Sequence, residues 1–80
     1  MVKSARKHYI TVSVIQAKLA LAASPTAPLG ALAELAQDGS DLIRLKVASN
    51  PRTPKTLLAC MTKDKSAAVR SACQYKLAQR

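Results

Sequence analysis

The chain has 80 residues and carries 13 Lys and Arg residues against four Asp and Glu, which gives a formal net charge of +9 and a pI near 10.2. This length allows one small domain and excludes a multidomain enzyme with a large catalytic cleft, and the 49% of apolar residues excludes a disordered basic tail. Because Tyr9 and Tyr75 are the only aromatic residues, the core consists of Ala, Leu, Val and Ile, which favours an all-α fold of closely packed helices.

The N-terminal residues 1–10 are predicted to form a flexible basic arm that contains Lys3, Arg6 and Lys7. A basic start followed by an apolar run also resembles a signal peptide, but Gln16 and Lys18 interrupt that run. No stretch of about 20 apolar residues is present, so we expect no membrane-spanning segment.

The segment after the arm fits two structures. Residues 9–15 alternate in polarity and are rich in β-branched side chains, which indicates a short strand. From Val14 to Ala23 the same segment matches a pattern that recurs later in the chain and that is helical. We therefore expect a helix from about Thr11 to Ala23 and keep the strand as the alternative.

An internal repeat with a period of 26 residues runs through the chain without gaps. Its identical or similar pairs are Pro25/Pro51, Pro28/Pro54, Leu32/Leu58, Ala33/Ala59, Asp38/Asp64, Ser40/Ser66, Arg44/Arg70 and Val47/Cys73. The segment before Pro25 matches the end of each unit. Residues 11–80 thus form a single domain of about two and a half repeats, with units at about 24–49 and 50–75, and such a period is typical of a solenoid.

Each unit is predicted to contain two helices. The first proline ends the preceding helix, and the Pro-x-x-Pro segment forms a tight turn or one turn of 3₁₀ helix. The second proline occupies the first position of a new helix, with Thr53 as a candidate N-cap in the second unit. These helices run over about 29–37 and 55–63. Asp-x-Ser then breaks the chain, and Ser40 or Ser66 caps the next helix.

The residues from Leu45 to Pro54, followed by Leu57 and Leu58, resemble the repeat of the leucine-rich repeat variant family, and so do Asp64 and the run from Val69 to Ala72. This resemblance covers roughly residues 17–73 and implies a right-handed superhelix of alternating α and 3₁₀ helices, related to HEAT-type repeats. The iron–sulfur cluster of the family's founding type is bound by a separate cysteine-rich segment that is not matched here. The family implies a scaffold for interactions with no common reaction.

Basic residues cluster at both ends of the chain. Residues one period apart stack on neighbouring helices of a solenoid, so Lys18, Arg44 and Arg70 are expected to form a ladder that could follow phosphates. Alternatively, each Arg pairs with an aspartate or a loop carbonyl and holds a turn, since Asp38 or Asp64 stands six residues earlier. Both interpretations stay open at this point.

The remaining basic residues have no such structural partner in the pattern. Arg52 and Lys55 stand at the start of a helix, where positive charge is unfavourable to the helix dipole, and Lys63 and Lys65 flank a helix break. We therefore predict an anion- or nucleic-acid-binding site made of ten residues: Lys3, Arg6, Lys7, Lys18, Arg44, Arg52, Lys55, Lys63, Lys65 and Arg70.

Catalytic, cofactor and metal sites are not predicted. The chain has one histidine, two glycines and no recurring carboxylate pair, so we expect no enzyme activity. Cys60 and Cys73 are too few for a disulfide framework and lie in apolar helical patterns. They are expected to be buried free thiols in a reducing compartment, the cytoplasm.

Three hypotheses of function follow. The first is a nucleic-acid-binding module that docks on phosphates, either free or in a nucleoprotein complex. The second is a protein–protein adaptor or small regulator that binds an acidic protein surface. The third is self-association into a homodimer through an end helix, because Cys73, Tyr75 and Leu77 are expected to leave an apolar end exposed.

Overall fold

The computed structural model describes the backbone of residues 2–79 and the side chains of residues 13–79. Within this range the chain is all-helical, as predicted, and contains no strand. Its five helices are α1 (Val2–Ala23), α2 (Leu29–Leu35), α3 (Asp41–Ser49), α4 (Lys55–Met61) and α5 (Ala67–Ala78). None of these helices has the length and apolarity that crossing a bilayer requires.

The first helix settles the ambiguous N-terminal segment in favour of the helix and against the strand. Helix α1 begins at Val2, nine residues before the predicted start at Thr11. An isolated strand of seven residues would need a pairing partner, and the sequence offers no second segment of that pattern. The side chains of Lys3, Arg6 and Lys7 lie outside the described residues, so the basic arm stays a prediction.

Each Pro-x-x-Pro segment is a single hydrogen-bonded turn. The Ala27 N–H donates to Ser24 O (3.2 Å) in the first segment, and the Thr53 N–H donates to Asn50 O (3.1 Å) in the second. A 3₁₀ helix would need a second such bond at the next residue, which is the second proline and has no N–H. Of the two forms predicted for this segment, the turn is therefore correct, and residues 2–79 contain no 3₁₀ helix.

The helix starts differ in detail from the prediction. Pro28 and Pro54 precede the first helical residue instead of occupying it, and their ψ angles of 144° and 156° are extended. Thr53 does not cap α4, because its hydroxyl donates to Val47 O at 2.6 Å. Ser66 caps α5 as predicted by accepting the Val69 N–H.

The helices form two layers around a small aliphatic core. Helix α3 packs between α1 and α5 in one layer, while α2 contacts α1 and α3, and α4 contacts α5. Ala22 and Ala48, one period apart, are both fully buried, and their small side chains allow neighbouring helices to approach closely. The largest aliphatic side chains that are fully buried are Leu32, Ile43, Val47 and Val69. Leu29 and Leu42, by contrast, are about half exposed.

The cysteines and the C-terminal end correct two further predictions. Cys73 is fully buried, as expected, whereas Cys60 is exposed, because it lies on the side of α4 opposite the buried Leu58 and Met61. The expected apolar C-terminal end is therefore smaller than predicted. Cys73 contributes nothing to it and Leu77 packs partly against the core, which leaves Tyr75 as its exposed apolar residue.

Candidate functional site

Arg44 is held between two repeat units. Its Nε and Nη2 donate to the two carboxylate oxygens of Asp64 at 2.8 and 3.2 Å, and its Nη1 donates to the backbone O of Asp38 at 2.7 Å. The side chains of Arg44 and Asp64 are only 6% and 9% exposed. Of the two interpretations of this residue, the arrangement supports the structural one, since all three guanidinium nitrogens donate to oxygens of the chain.

One of these contacts recurs one period earlier, and the other recurs one period later. Lys18 Nζ contacts Asp38 Oδ2 at 2.8 Å, which is the contact that Arg44 makes with Asp64. Arg70 Nη1 donates to Asp64 O at 2.7 Å, as Arg44 does to Asp38 O. The five residues thus form a continuous chain of contacts, which we call the Arg–Asp ladder: Lys18, Asp38, Arg44, Asp64 and Arg70.

Both aspartates of the ladder have lowered pKa values. The Lys18 ammonium and the Ser40 N–H lower the pKa of Asp38. Burial alone would raise the pKa of Asp64, but the hydrogen bond from Arg44 and the Ser66 N–H outweigh that effect, so its pKa is also lowered. Asp64 reciprocally raises the pKa of the Arg44 guanidinium. Asp38, Asp64 and Arg44 are therefore ionised at neutral pH.

A second polar network centres on Asn50, which sequence reasoning missed. Asn50 is 2% exposed, and its Nδ2 donates to Ala22 O (2.7 Å) and to Ser24 O (2.8 Å), so that it ties one unit to the one before. Its Oδ1 accepts the Arg52 N–H at 2.8 Å. One period later, Lys76 Nζ donates to Asn50 O at 2.9 Å. The aligned position occupied by Ser24, Asn50 and Lys76 was the signal, because a polar residue there meets the carbonyl left free at a helix end.

Arg52 was predicted as a freely available cation and is only partly so. Its Nε donates to Ala27 O at 2.7 Å, across the 25 residues that separate the two turns. The side chain is nevertheless exposed, and both Nη groups have no acceptor among residues 13–79. Arg52 is consequently a cation held in one orientation on the surface.

Lys55, Lys63 and Lys65 are exposed and have no ionic partner within the described side chains. Lys55 is the first residue of α4, and Lys63 follows its last residue by two positions. The two lysines therefore stand at opposite ends of α4. Lys65 lies in the turn that leads to α5.

The basic residues of the second unit replace uncharged ones of the first. At the four equivalent positions, the first unit has Thr26, Leu29, Gln37 and Gly39, and the second has Arg52, Lys55, Lys63 and Lys65, which we call the basic group. In addition, two exposed acids of the first unit, Glu34 and Asp41, become Cys60 and Ala67. The ladder residues, by contrast, are the same in both units. The contrast separates residues that build the repeat from residues that charge its surface.

Of the ten predicted site residues, the structure engages four in contacts within the chain and leaves three free. The four are Lys18, Arg44, Arg52 and Arg70, the three are Lys55, Lys63 and Lys65, and the rest lie outside the described side chains. Within residues 13–79, no three side chains of His, Cys, Asp or Glu come together as metal ligands would.

Comparison with known proteins identifies the family. A model described as the Leucine Rich Repeat Variant domain matches residues 16–77, a range that includes the Arg–Asp ladder, both proline turns and the basic group. No curated protein and no solved structure gives a significant match to the chain. Because the family model matches most of the sequence, the chain belongs to the leucine-rich repeat variant family.

Proposed function

We propose that this protein is a non-enzymatic binding module that docks on the phosphate backbone of a nucleic acid, either free or within a nucleoprotein complex. The observation that carries the proposal is the basic group, in which four cations stand at positions where the preceding unit has uncharged residues. We also infer a short right-handed solenoid of about two and a half repeats. Contacts repeated 26 residues apart, Asn50 to Ser24 and Lys76 to Asn50, support that inference.

The fold does not explain the lysines of the basic group. Lys55, Lys63 and Lys65 contact no acid among the described residues, and the first unit forms the same turns and helices without them. Asp64, the one acidic residue of the second unit, is occupied by Arg44. Uncompensated charge of one sign raises self-repulsion and contributes nothing to folding, so an external anion is the simplest reason for it.

The spacing of these cations suits a nucleic-acid strand. Lys55 and Lys63 stand at opposite ends of α4, and a helix of seven residues rises by about 10 Å, which is close to the axial length of three nucleotides of one duplex strand. Lysine and arginine side chains that contact phosphates fix orientation and affinity and carry little sequence information.

Sequence-specific recognition is not part of the proposal. Tyr75 is the one aromatic residue among the described side chains, and it lies on α5, whereas the basic group surrounds α4. Successive bases would need several aromatic platforms for stacking. We therefore expect similar affinity for unrelated sequences of equal length.

The test is fluorescence anisotropy with labelled duplex and single strands at about 50 mM salt, where counterion release makes phosphate contacts strongest. We expect the logarithm of the binding constant to fall linearly with the logarithm of the salt concentration. Replacing Lys55, Lys63 and Lys65 together by Gln should reduce that slope by about 3, one for each lost contact. Lys46→Gln is the matched control, because Lys46 is an exposed lysine of the first unit.

Two outcomes would contradict the proposal. One is the absence of binding to either nucleic acid at about 50 mM salt, since phosphate contacts are strong at such low salt. The other is an acidic protein captured in a form that resists nuclease and is lost on charge reversal of Arg52 and Lys55. That result would favour the adaptor that binds an acidic protein surface.

A further inference from the structure

We propose that a groove between the two repeat units receives one unstacked base of a single-stranded nucleic acid, while Lys63 holds the phosphate of that nucleotide. This inference rests on the proposed function and names the form of the nucleic acid and the place of one base. The groove lies where the end of α2 meets α4, and its volume is about 230 Å³. Residues of both units line it.

The walls of the groove are largely apolar. Ala36 comes from the end of α2, and Leu57, Cys60 and Met61 come from α4. The sulfur atom of a methionine makes favourable contacts with aromatic rings, and a free thiol behaves as a small apolar group. A volume of about 230 Å³ equals that of about seven or eight molecules of liquid water, which leaves room for one base.

Polar groups stand at the rim, where the edge of a base and its phosphate would lie. The exposed side chain of Gln37 supplies an amide, which both donates and accepts hydrogen bonds. Lys63 supplies a cation, and Lys65 follows two positions later. Asp64 also lines the groove, but both of its carboxylate oxygens accept from Arg44, which neutralises its charge. The rim therefore carries a net positive charge.

The first unit has the same positions without these properties. Glu34 stands at the position of Cys60, and Gln37 stands at the position of Lys63. A carboxylate in place of the thiol would repel a phosphate, and an amide in place of the ammonium would not attract one. The exchanges that suit this groove to a nucleotide thus belong to the same set of changes that makes the second unit basic.

A single strand can supply such a base, whereas a duplex holds its bases paired and stacked. The unstacked bases of a single strand can be splayed out and bound one at a time. The phosphates on either side stay available to the other cations of the basic group. We expect little preference among the bases, because apolar walls contact any ring and the Gln37 amide both donates and accepts.

The direct test is NMR of the methyl groups of Leu57 and Met61, with thymidine monophosphate titrated into the full chain at constant ionic strength. We expect saturable shifts with the nucleotide, weaker shifts with thymidine and none with inorganic phosphate, which has no ring. Leu32 is the internal control, because it is fully buried. The absence of saturable shifts with the nucleotide would overturn the inference.

An acidic peptide tests the other occupant that a groove with a basic rim could take. The probe is an acetylated peptide with one leucine between two aspartates, titrated in the same way. We expect no saturable shifts at Leu57 and Met61. Shifts with the peptide and none with the nucleotide would overturn the inference and assign the groove to a protein partner.

A second test compares two single strands of equal length, one with thymine bases and one of base-free deoxyribose phosphate, by fluorescence anisotropy at about 50 mM salt. We expect the strand with bases to bind about fivefold more tightly, which is the low end of the effect of one stacked base. Cys60→Leu fills part of the groove at an exposed position and should abolish this difference while leaving duplex binding unchanged. Cys60→Ser, the matched control of similar size, should preserve it.

The outcomes separate this inference from the wider proposal. Equal binding of both strands by the unaltered chain would contradict the base groove and leave phosphate docking standing. A preserved difference in a folded Cys60→Leu chain, checked by circular dichroism, would contradict the groove as the place of the base. Binding of neither strand, nor of duplex, would contradict both proposals.

Discussion

The two repeat units share the contacts of their Asp-x-Ser turns and differ in the sign of their net charge. In both, an Asp-x-Ser turn presents an aspartate whose Oδ1 accepts the serine N–H, and an arginine six residues later donates to the carbonyl of that aspartate. In composition, the first unit has three acids against two bases, whereas the second has five bases against one acid. The comparison teaches that these turns and helices form without the basic group.

The units differ also in how many hydrogen-bond partners their equivalent polar residues have. Arg44 has a partner on each side, whereas Arg70 is anchored on one side within the described chain. Asn50 makes three hydrogen bonds through its side chain, whereas Ser24, at the equivalent position, accepts the Thr26 N–H at 3.2 Å and contacts the Thr26 hydroxyl. Equivalent positions therefore contribute unequally to stability, and the inequality can be measured.

The largest expected effect comes from Arg44→Ala compared with Arg70→Ala. Loss of Arg44 leaves the nearly buried Asp64 carboxylate without its cation, and we expect Tm to fall by more than about 10 °C. Loss of Arg70 removes a single hydrogen bond to a carbonyl, and a fall of about 4–8 °C is expected. Thermal unfolding followed by circular dichroism measures both. Equal falls would show that the two arginines are equivalent in the fold, contrary to the contacts.

A smaller effect is expected for Asn50→Ala compared with Ser24→Ala. Truncation of Asn50 leaves Ala22 O near the core without its side-chain donor and removes one of the two donors of Ser24 O, which costs about 2–4 kcal/mol in free energy of unfolding. Truncation of Ser24 removes contacts within an exposed turn and costs less than about 1 kcal/mol. Urea unfolding at neutral pH gives both values. If Ser24→Ala lowered the free energy of unfolding as much as Asn50→Ala does, the two positions would be equivalent, contrary to their contacts.

The smallest effect is a difference in acid sensitivity between Asp64 and Asp38. Because the pKa of each is lowered in the folded state, each contributes stability above its ordinary value of 3.8 and loses it as pH falls through the folded pKa. Asp64→Asn should therefore flatten the loss of stability between about pH 5 and pH 2. Asp38→Asn should flatten it less, because its partner Lys18 is 44% exposed and screened by solvent. Urea unfolding across this pH range measures both effects. If Asp64→Asn lost as much stability at acid pH as the unaltered chain, the stabilising role of the Asp64 carboxylate would be contradicted.

Local sequence patterns predicted the positions of the turns and of most helices. Pro25, Pro28 and their equivalents placed the turns, because a proline ends a preceding helix and supplies no N–H to extend the turn. Apolar periodicity placed the helices to within a few residues, except at α1, where β-branched residues 9–15 locally favour a strand. The misplaced details, such as the role of Thr53, depend on which carbonyl lies nearby in space, and no local pattern reports that.

For the candidate site, the prediction named ten basic residues and did not separate their roles. Arg44, Arg52 and Lys55 are indistinguishable as cations in a sequence. In the structure one is buried in an ion pair, one is tethered to a carbonyl and one is free. The structural interpretation of Arg44 named an aspartate six residues away, and the carboxylate that it meets is 20 residues away. A partner from the next unit becomes visible only when the stacking of the helices is known.

By itself, the sequence determined the repeat of 26 residues, the all-helical class and the concentration of positive charge in the second unit. These follow from composition and from spacing along the chain, which act over one or two helical turns. Only the tertiary structure decided that Asp64 neutralises Arg44 and that Asn50 ties the units together. Those outcomes depend on distances between residues about 20 to 28 positions apart, which the packing of neighbouring helices sets and a linear pattern does not.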